Sequence, residues 1–167
     1  MKIISTKGDF FCAVLEPHEL GMFSNSKHLS YSDINDDVEH NQEDVIAAID
    51  YHGPEYFAGV FNQDGQSAFV LMKDHQIFGS AEIVYDSEKK EAAFQAGHIY
   101  SELRGHDLSK LLYKAREAFV RAYYPNCEKL NMCTSLDNEA SYNAARSNGF
   151  KFSHFDQYDN VHFEKTL

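Results

Sequence analysis

The spacing of apolar residues changes character along the chain, and each change marks an element. Residues 67–73, 76–85 and 92–100 are rich in β-branched and aromatic side chains, and Asp74-His75 and the charged stretch 86–91 separate them. Such runs, bounded by turn residues, predict three consecutive antiparallel strands. From Leu108 the period lengthens. Leu108, Leu111, Leu112, Ala115, Ala118, Phe119, Ala122 and Tyr123 recur at helical spacing and predict one apolar face of a long helix that Pro125 ends.

Beyond that helix, residues 129–134 predict a short strand, and Asp137 or Asn138 can cap a second helix running to about Ser147. Asn148-Gly149 supplies a left-handed stop. Residues 150–155 and 158–164 predict two closing strands joined by a tight turn around Asp156. The first third is less regular: short strands are expected at 2–6 and 10–15 around Gly8, with Pro17 stopping the second. Residues 24–44 are polar and acidic and predict a solvated loop or short exposed helices, and residues 45–51 predict a helix ending before Gly53-Pro54. The order of elements predicts one mixed α/β domain over residues 1–167, with a mostly antiparallel central sheet and flanking helices.

A length of 167 residues is ample for one core without disulfide or metal staples. The formal net charge of −11 argues against nucleic acid or an anionic membrane as partner and would draw in a cation. Cys12, Cys127 and Cys133 are odd in number and lack CxxC spacing, so reduced thiols in a cytoplasmic protein are expected. No run approaches the ~18 apolar residues of a membrane span, and no targeting segment is expected. The nine histidines contain no HxH or HxxxH pair, and no metal site is expected.

The segment with most chemical content is Ile99-Tyr100-Ser101-Glu102-Leu103-Arg104-Gly105-His106-Asp107-Leu108-Ser109-Lys110. A strand there runs through a short turn into the start of an amphipathic helix. Unpaired backbone N–H groups and the helix dipole suit such an end to a pyrophosphate, with Arg104 and Lys110 adding positive charge. About thirty residues further on comes Asn138-Glu139-Ala140-Ser141-Tyr142-Asn143-Ala144-Ala145-Arg146-Ser147-Asn148-Gly149-Phe150.

Together these two segments resemble the GNAT acetyltransferase superfamily. Its first motif is Arg or Gln, two residues, Gly, one residue, then Gly or Ala; its second is an Asn-led helix ending in Gly-Phe. Arg104 takes the first position, Gly105 the frequent glycine after it, and Ile99 the apolar place at the strand end. Phe78-Gly79-Ser80-Ala81-Glu82-Ile83 is similar to the glycine-containing third strand of that family. The resemblance covers about residues 67–167 and implies a GNAT-like acyl-CoA N-acyltransferase fold. Residues 67–167 would then be the acetyl-CoA-binding core, and 1–66 the variable acceptor-side region.

Two departures stand out. The family's glycine three places after the arginine is Asp107 here, and the following small position is Ser109. A carboxylate beside a diphosphate repels it unless it points away. The tyrosine that many members place four residues before the Gly-Phe pair is Ala145, and Tyr142, one turn earlier, reads first as a packed aromatic.

The resemblance implies acetyl transfer from acetyl-CoA by direct attack of an amine on the thioester. Ile99, Tyr100, Arg104, Gly105, His106, Asp107, Leu108, Ser109, Lys110, Asn138 and Ser141 are the expected coenzyme-binding residues. A backbone N–H near Gly97, His98 or Ile99 would hold the carbonyl oxygen, and Gly97 suits a bulge there. The family's acidic position on that strand falls near Ala93. Glu82 and His98 are therefore the candidate bases, with Glu102 also available. The expected partner is a small-molecule or peptide amine, with a homodimer left open. Two competing readings are a non-catalytic acyl-CoA-binding or sensing module and a structural interaction domain, since a fold alone does not fix a function.

Overall fold

The computed structural model describes residues 2–15, 65–74, 76–99 and 103–167. The segments expected at 24–44 and 45–51 lie outside the described residues. Among the described residues there are ten elements: β1 (Lys2–Lys7), β2 (Phe10–Val14), β3 (Gln66–Lys73), β4 (Gln76–Asp86), β5 (Glu91–Ile99), α1 (Leu108–Tyr123), β6 (Lys129–Thr134), α2 (Glu139–Ser147), β7 (Lys151–Phe155) and β8 (Val161–Thr166). All eight strands form one sheet in the order β1-β2-β3-β4-β5-β6-β8-β7. Every pair is antiparallel except β5 with β6, which α1 connects as a crossover.

The apolar stripe of α1 is what holds it to the sheet. Leu108, Leu111, Leu112, Ala115, Phe119 and Val120 are buried against Phe69, Leu71, Ile83 and Phe94. Phe69 and Phe119 meet edge to face, with centroids 5.3 Å apart. Burying a phenylalanine of this kind contributes roughly 2–3 kcal/mol. α2 joins the same core through Ala145 and the following Phe150, whose ring lies 5.7 Å from that of Tyr113. Ala118, Ala122 and Tyr123, which the spacing assigned to the buried face, are exposed at its margin.

The last strand begins later than its apolar pattern predicts. Residues 158–160 are spent in the β7–β8 turn, because the Asp156 carboxylate accepts hydrogen bonds from the backbone N–H groups of Tyr158 and Asn160. Tyr158 is left exposed. Phe150, expected to open β7, lies in the core ahead of it.

Candidate functional site

β5 and β6 pair from Glu91 with Lys129 as far as Phe94 with Met132. Beyond that point β5 continues to Ile99 and β6 to Thr134 without further pairing, so the two parallel strands part. On its other edge β5 is irregular at the same place. Ser80 of β4 pairs with His98 and Glu82 with Gln95, so two steps along β4 match three along β5. This is a bulge in β5 at residues 96–97, and a bulge adds local twist and bends its strand.

Gly97 therefore sits where a bulge was expected. A Cβ there would lie 3.6 Å from Arg116 Nη2, an ordinary contact. Arg116 is the residue that sequence reading missed. It lies four residues after Leu112 on the buried face of α1, and a cation breaking that stripe was the available signal. Its Nη1 donates to the carbonyl oxygens of Glu82 at 3.3 Å and Gln95 at 3.4 Å, and its Nε to that of Leu112. The guanidinium also lies over the rings of Phe94 and Tyr113, 4.3 and 4.8 Å from their centroids. Burial pulls its pKa down to about 10, and neighbouring Tyr113 acts in the opposite direction.

Glu82 is buried on β4 at the edge of this bulge. Position 98 stands opposite Ser80, two residues along from Glu82. The His98 side chain, together with Tyr100 and Glu102, lies outside the described residues.

β5 ends at Ile99, whose carbonyl accepts a hydrogen bond from Arg104 Nε at 3.3 Å. Gly105 follows with φ +83° and Asp107 with φ +59°, so the chain enters α1 through left-handed backbone. Asp107 gives the helix no side-chain cap. Its carboxylate turns instead to Lys110 Nζ at 2.8 Å and Lys7 Nζ at 3.8 Å. The hydrogen bond from Lys110, with the charges of Lys110 and Lys7, holds this carboxyl below its usual pKa. Lys7, on β1, also donates to the His106 carbonyl at 2.7 Å, a contribution from the far edge of the sheet that no sequence motif announces. Among the described residues at this turn, the cations Arg104, Lys7 and Lys110 accompany one carboxylate, that of Asp107. The first turn of α1 buries Leu108 and leaves Ser109 and Lys110 partly exposed, and the N-terminal end of a helix favours negative charge.

Asn138 caps α2, its side-chain oxygen accepting from the Ser141 N–H at 3.0 Å. Tyr142 packs against Phe163, with centroids 5.2 Å apart, and Ala145 is fully buried. Cys12 and Cys127 are buried, whereas Cys133 is exposed. Burial pushes the Cys12 thiol up to about 12.

No family model matches the chain, and no curated protein matches it in sequence. Solved structures do. The PaiA N-acetyltransferase of Thermoplasma acidophilum, in complex with coenzyme A, superposes with a TM-score of 0.68 at 15% identity, over 95% of this chain and 99% of that one. The chain has the GNAT acyltransferase fold. RimL, a ribosomal L7/L12 α-N-protein acetyltransferase in complex with coenzyme A, is similar with a TM-score of 0.64 and 14% identity over 99% and 98% of the two chains. A variant of the spermidine N-acetyltransferase SpeG from Vibrio cholerae gives 0.61 and 16% over 96% and 95%. In this GNAT fold the parted β5 and β6, the bulge and the turn into α1 lie on consecutive stretches of chain. No helix among the described residues is long and apolar enough to cross a membrane.

Proposed function

We propose that this chain transfers an acetyl group from acetyl-CoA to a primary amine of a small molecule or peptide. The observation that carries the reading is the parting of β5 from β6 beside a bulge, next to a cation-rich turn at the start of a helix. Acetyl-CoA supplies a thioester whose acyl carbon an amine can attack directly. Arg104, Gly105, His106, Asp107, Leu108, Ser109 and Lys110 would hold its pyrophosphate through backbone N–H groups and positive charge, with Lys7 offsetting Asp107. Ile99 and Tyr100, with Asn138 and Ser141, would complete the set of coenzyme-binding residues.

The remaining tasks belong to the chain itself. Backbone N–H groups at the bulge orient a carbonyl oxygen. Glu82 or His98 takes the proton that an ammonium must lose before it can attack. Glu82 is the stronger candidate, because a buried carboxylate can both hold the cation and accept its proton. In this reading residues 67–167 are the donor-binding core and 1–66 shape the acceptor side. A cytoplasmic location goes with it, supported by three free cysteines.

Release of the coenzyme thiol, screened over polyamines, amino acids, aminoglycosides and peptide N-termini, tests the proposal. At least one amine class is expected to accelerate release. Coenzyme binding with no amine-dependent release across the panel would mark a binding module instead. Arg104→Glu is expected to weaken acetyl-CoA binding about tenfold by turning an attraction into a repulsion, and unchanged affinity in calorimetry would remove this turn from the site.

A further inference from the structure

Three side chains distant in sequence bring their donor atoms together at the end of β6. Cys133 and His162 are cross-strand partners in the β6–β8 register. Met132 and Phe163, the pair before them, point into the core, so Cys133 and His162 occupy the opposite face. Asp156 enters from the turn between β7 and β8. His162 Nε2 lies 3.5 Å from Cys133 Sγ and 3.3 Å from Asp156 Oδ2. All three donor atoms lie within 4.8 Å of one another.

We propose that Cys133, Asp156 and His162 form a binding site for zinc or a similar borderline-soft divalent cation, with a fourth tetrahedral position open to solvent or ligand. Tetrahedral zinc, with bonds of about 2.3 Å to sulfur and about 2.0–2.2 Å to nitrogen or oxygen, sets sulfur and nitrogen about 3.5 Å apart and nitrogen and oxygen about 3.3 Å apart. Two edges of the cluster have those lengths. The direction of the imidazole matters as much. A nucleophilic Cys-His-Asp relay uses the two ring nitrogens separately, whereas here one nitrogen faces both the thiol and the carboxylate, as ligands around a shared centre do.

The surroundings hold two of the ligands in place. Asp156 Oδ1 accepts from the Tyr158 and Asn160 N–H groups at 2.8 and 3.0 Å, and Oδ2 accepts from Asn160 Nδ2 at 3.0 Å. That pattern leaves one Oδ2 lone pair for a cation once His162 turns its nitrogen to the metal. His154 stacks on His162 with centroids 4.4 Å apart and planes 9° apart, which fixes the imidazole plane. Cys133 is exposed, so a cation can enter from solvent. A sulfur, nitrogen and oxygen set selects zinc over magnesium or calcium, which take oxygen ligands. Without a cation the thiol carries a proton, as an ordinary cysteine does at neutral pH. Binding releases that proton to solvent. Thiolate and carboxylate then balance the two positive charges of the cation.

The test is titration of the untagged full chain with zinc chloride in competition with a chromophoric chelator, and with cobalt chloride read by absorption. One tight equivalent of zinc is expected, and cobalt is expected to show a sulfur-to-metal charge-transfer band together with tetrahedral d–d bands. Cys133→Ser, at an exposed position, is expected to abolish the charge-transfer band and weaken zinc binding by about tenfold or more, and His162→Gln to weaken it similarly with circular dichroism unchanged. Absence of a tight equivalent in the wild-type chain overturns the proposal, as does Cys133→Ser retaining wild-type zinc affinity.

Discussion

Arg116 of α1 reaches through the helix–sheet interface to the backbone of Glu82, its Nη1 donating to the Glu82 carbonyl at 3.3 Å. The same nitrogen donates to Gln95, the residue paired with Glu82 across the strands. One buried cation thus bonds both strands at the point where β5 bulges. Arg116→Met removes those donors and leaves two carbonyls short of partners, a loss of about 1–3 kcal/mol. Urea denaturation should show it, with Arg116→Lys intermediate. If the bulge orients the acyl group, turnover should fall more than coenzyme affinity in the surviving fold.

Proton removal separates Glu82 from His98. Glu82→Gln is expected to lower turnover about 100-fold or more while changing the acyl-donor Michaelis constant little, as loss of a general base does. His98→Gln should then retain most activity. The opposite pattern assigns the base to His98, and near wild-type turnover of both variants from about pH 6 to 9 assigns it to a water chain.

The glycines should differ in a graded way. Gly97→Ala is expected to be nearly neutral, since among the described residues its Cβ would meet Arg116 alone, at ordinary contact distance. Gly105→Ala, at φ +83° with no heavy atom of the described residues within 4 Å of the new Cβ, should cost about 1 kcal/mol of backbone strain. Gly65→Ala combines φ +86° with a collision against the Tyr85 carbonyl oxygen, and should be the most damaging of the three. Thermal melts of the three variants check the order.

Asn138→Ala removes the cap of α2 and should cost about 1 kcal/mol, read as a lower melting temperature. If Asn138 also touches the pantetheine arm, the apparent Michaelis constant for acetyl-CoA rises in addition. Asn138→Ser, which can still cap, then restores the melting temperature without restoring the Michaelis constant.

Stability should fall steeply in acid, with Asp156 as one identifiable contributor. The Asn160 side chain first, then the Tyr158 and Asn160 backbone and His162, hold its carboxyl far below the usual range against the opposing effect of burial. A folded pKa below the unfolded one gives stability that is full above the unfolded carboxylate pKa of about 3.9 and lost as pH falls further. Asp156→Asn should flatten the acid limb of the stability curve below about pH 4. Its stability should differ from wild type by a constant amount above about pH 5.

The sequence by itself determined the elements that repeat a period. The stripe from Leu108 to Phe119, the three strands between residues 66 and 99, the glycine at the bulge and the Asn138 cap are legible because each rests on neighbours within a few residues. What only the tertiary structure decided are the meetings across the sheet. Lys7 comes from β1 to offset Asp107 at the start of α1, and Arg116 finds carbonyls on two strands. Cys133, Asp156 and His162 converge from a strand, a turn and another strand, so no local spacing could announce them. The turn held by Asp156 shifted β8 by three residues, since a side chain bonding the backbone competes with strand pairing on terms that hydrophobic pattern does not record. Periodicity fixes which face of an element is buried, and the register between elements fixes which side chains meet.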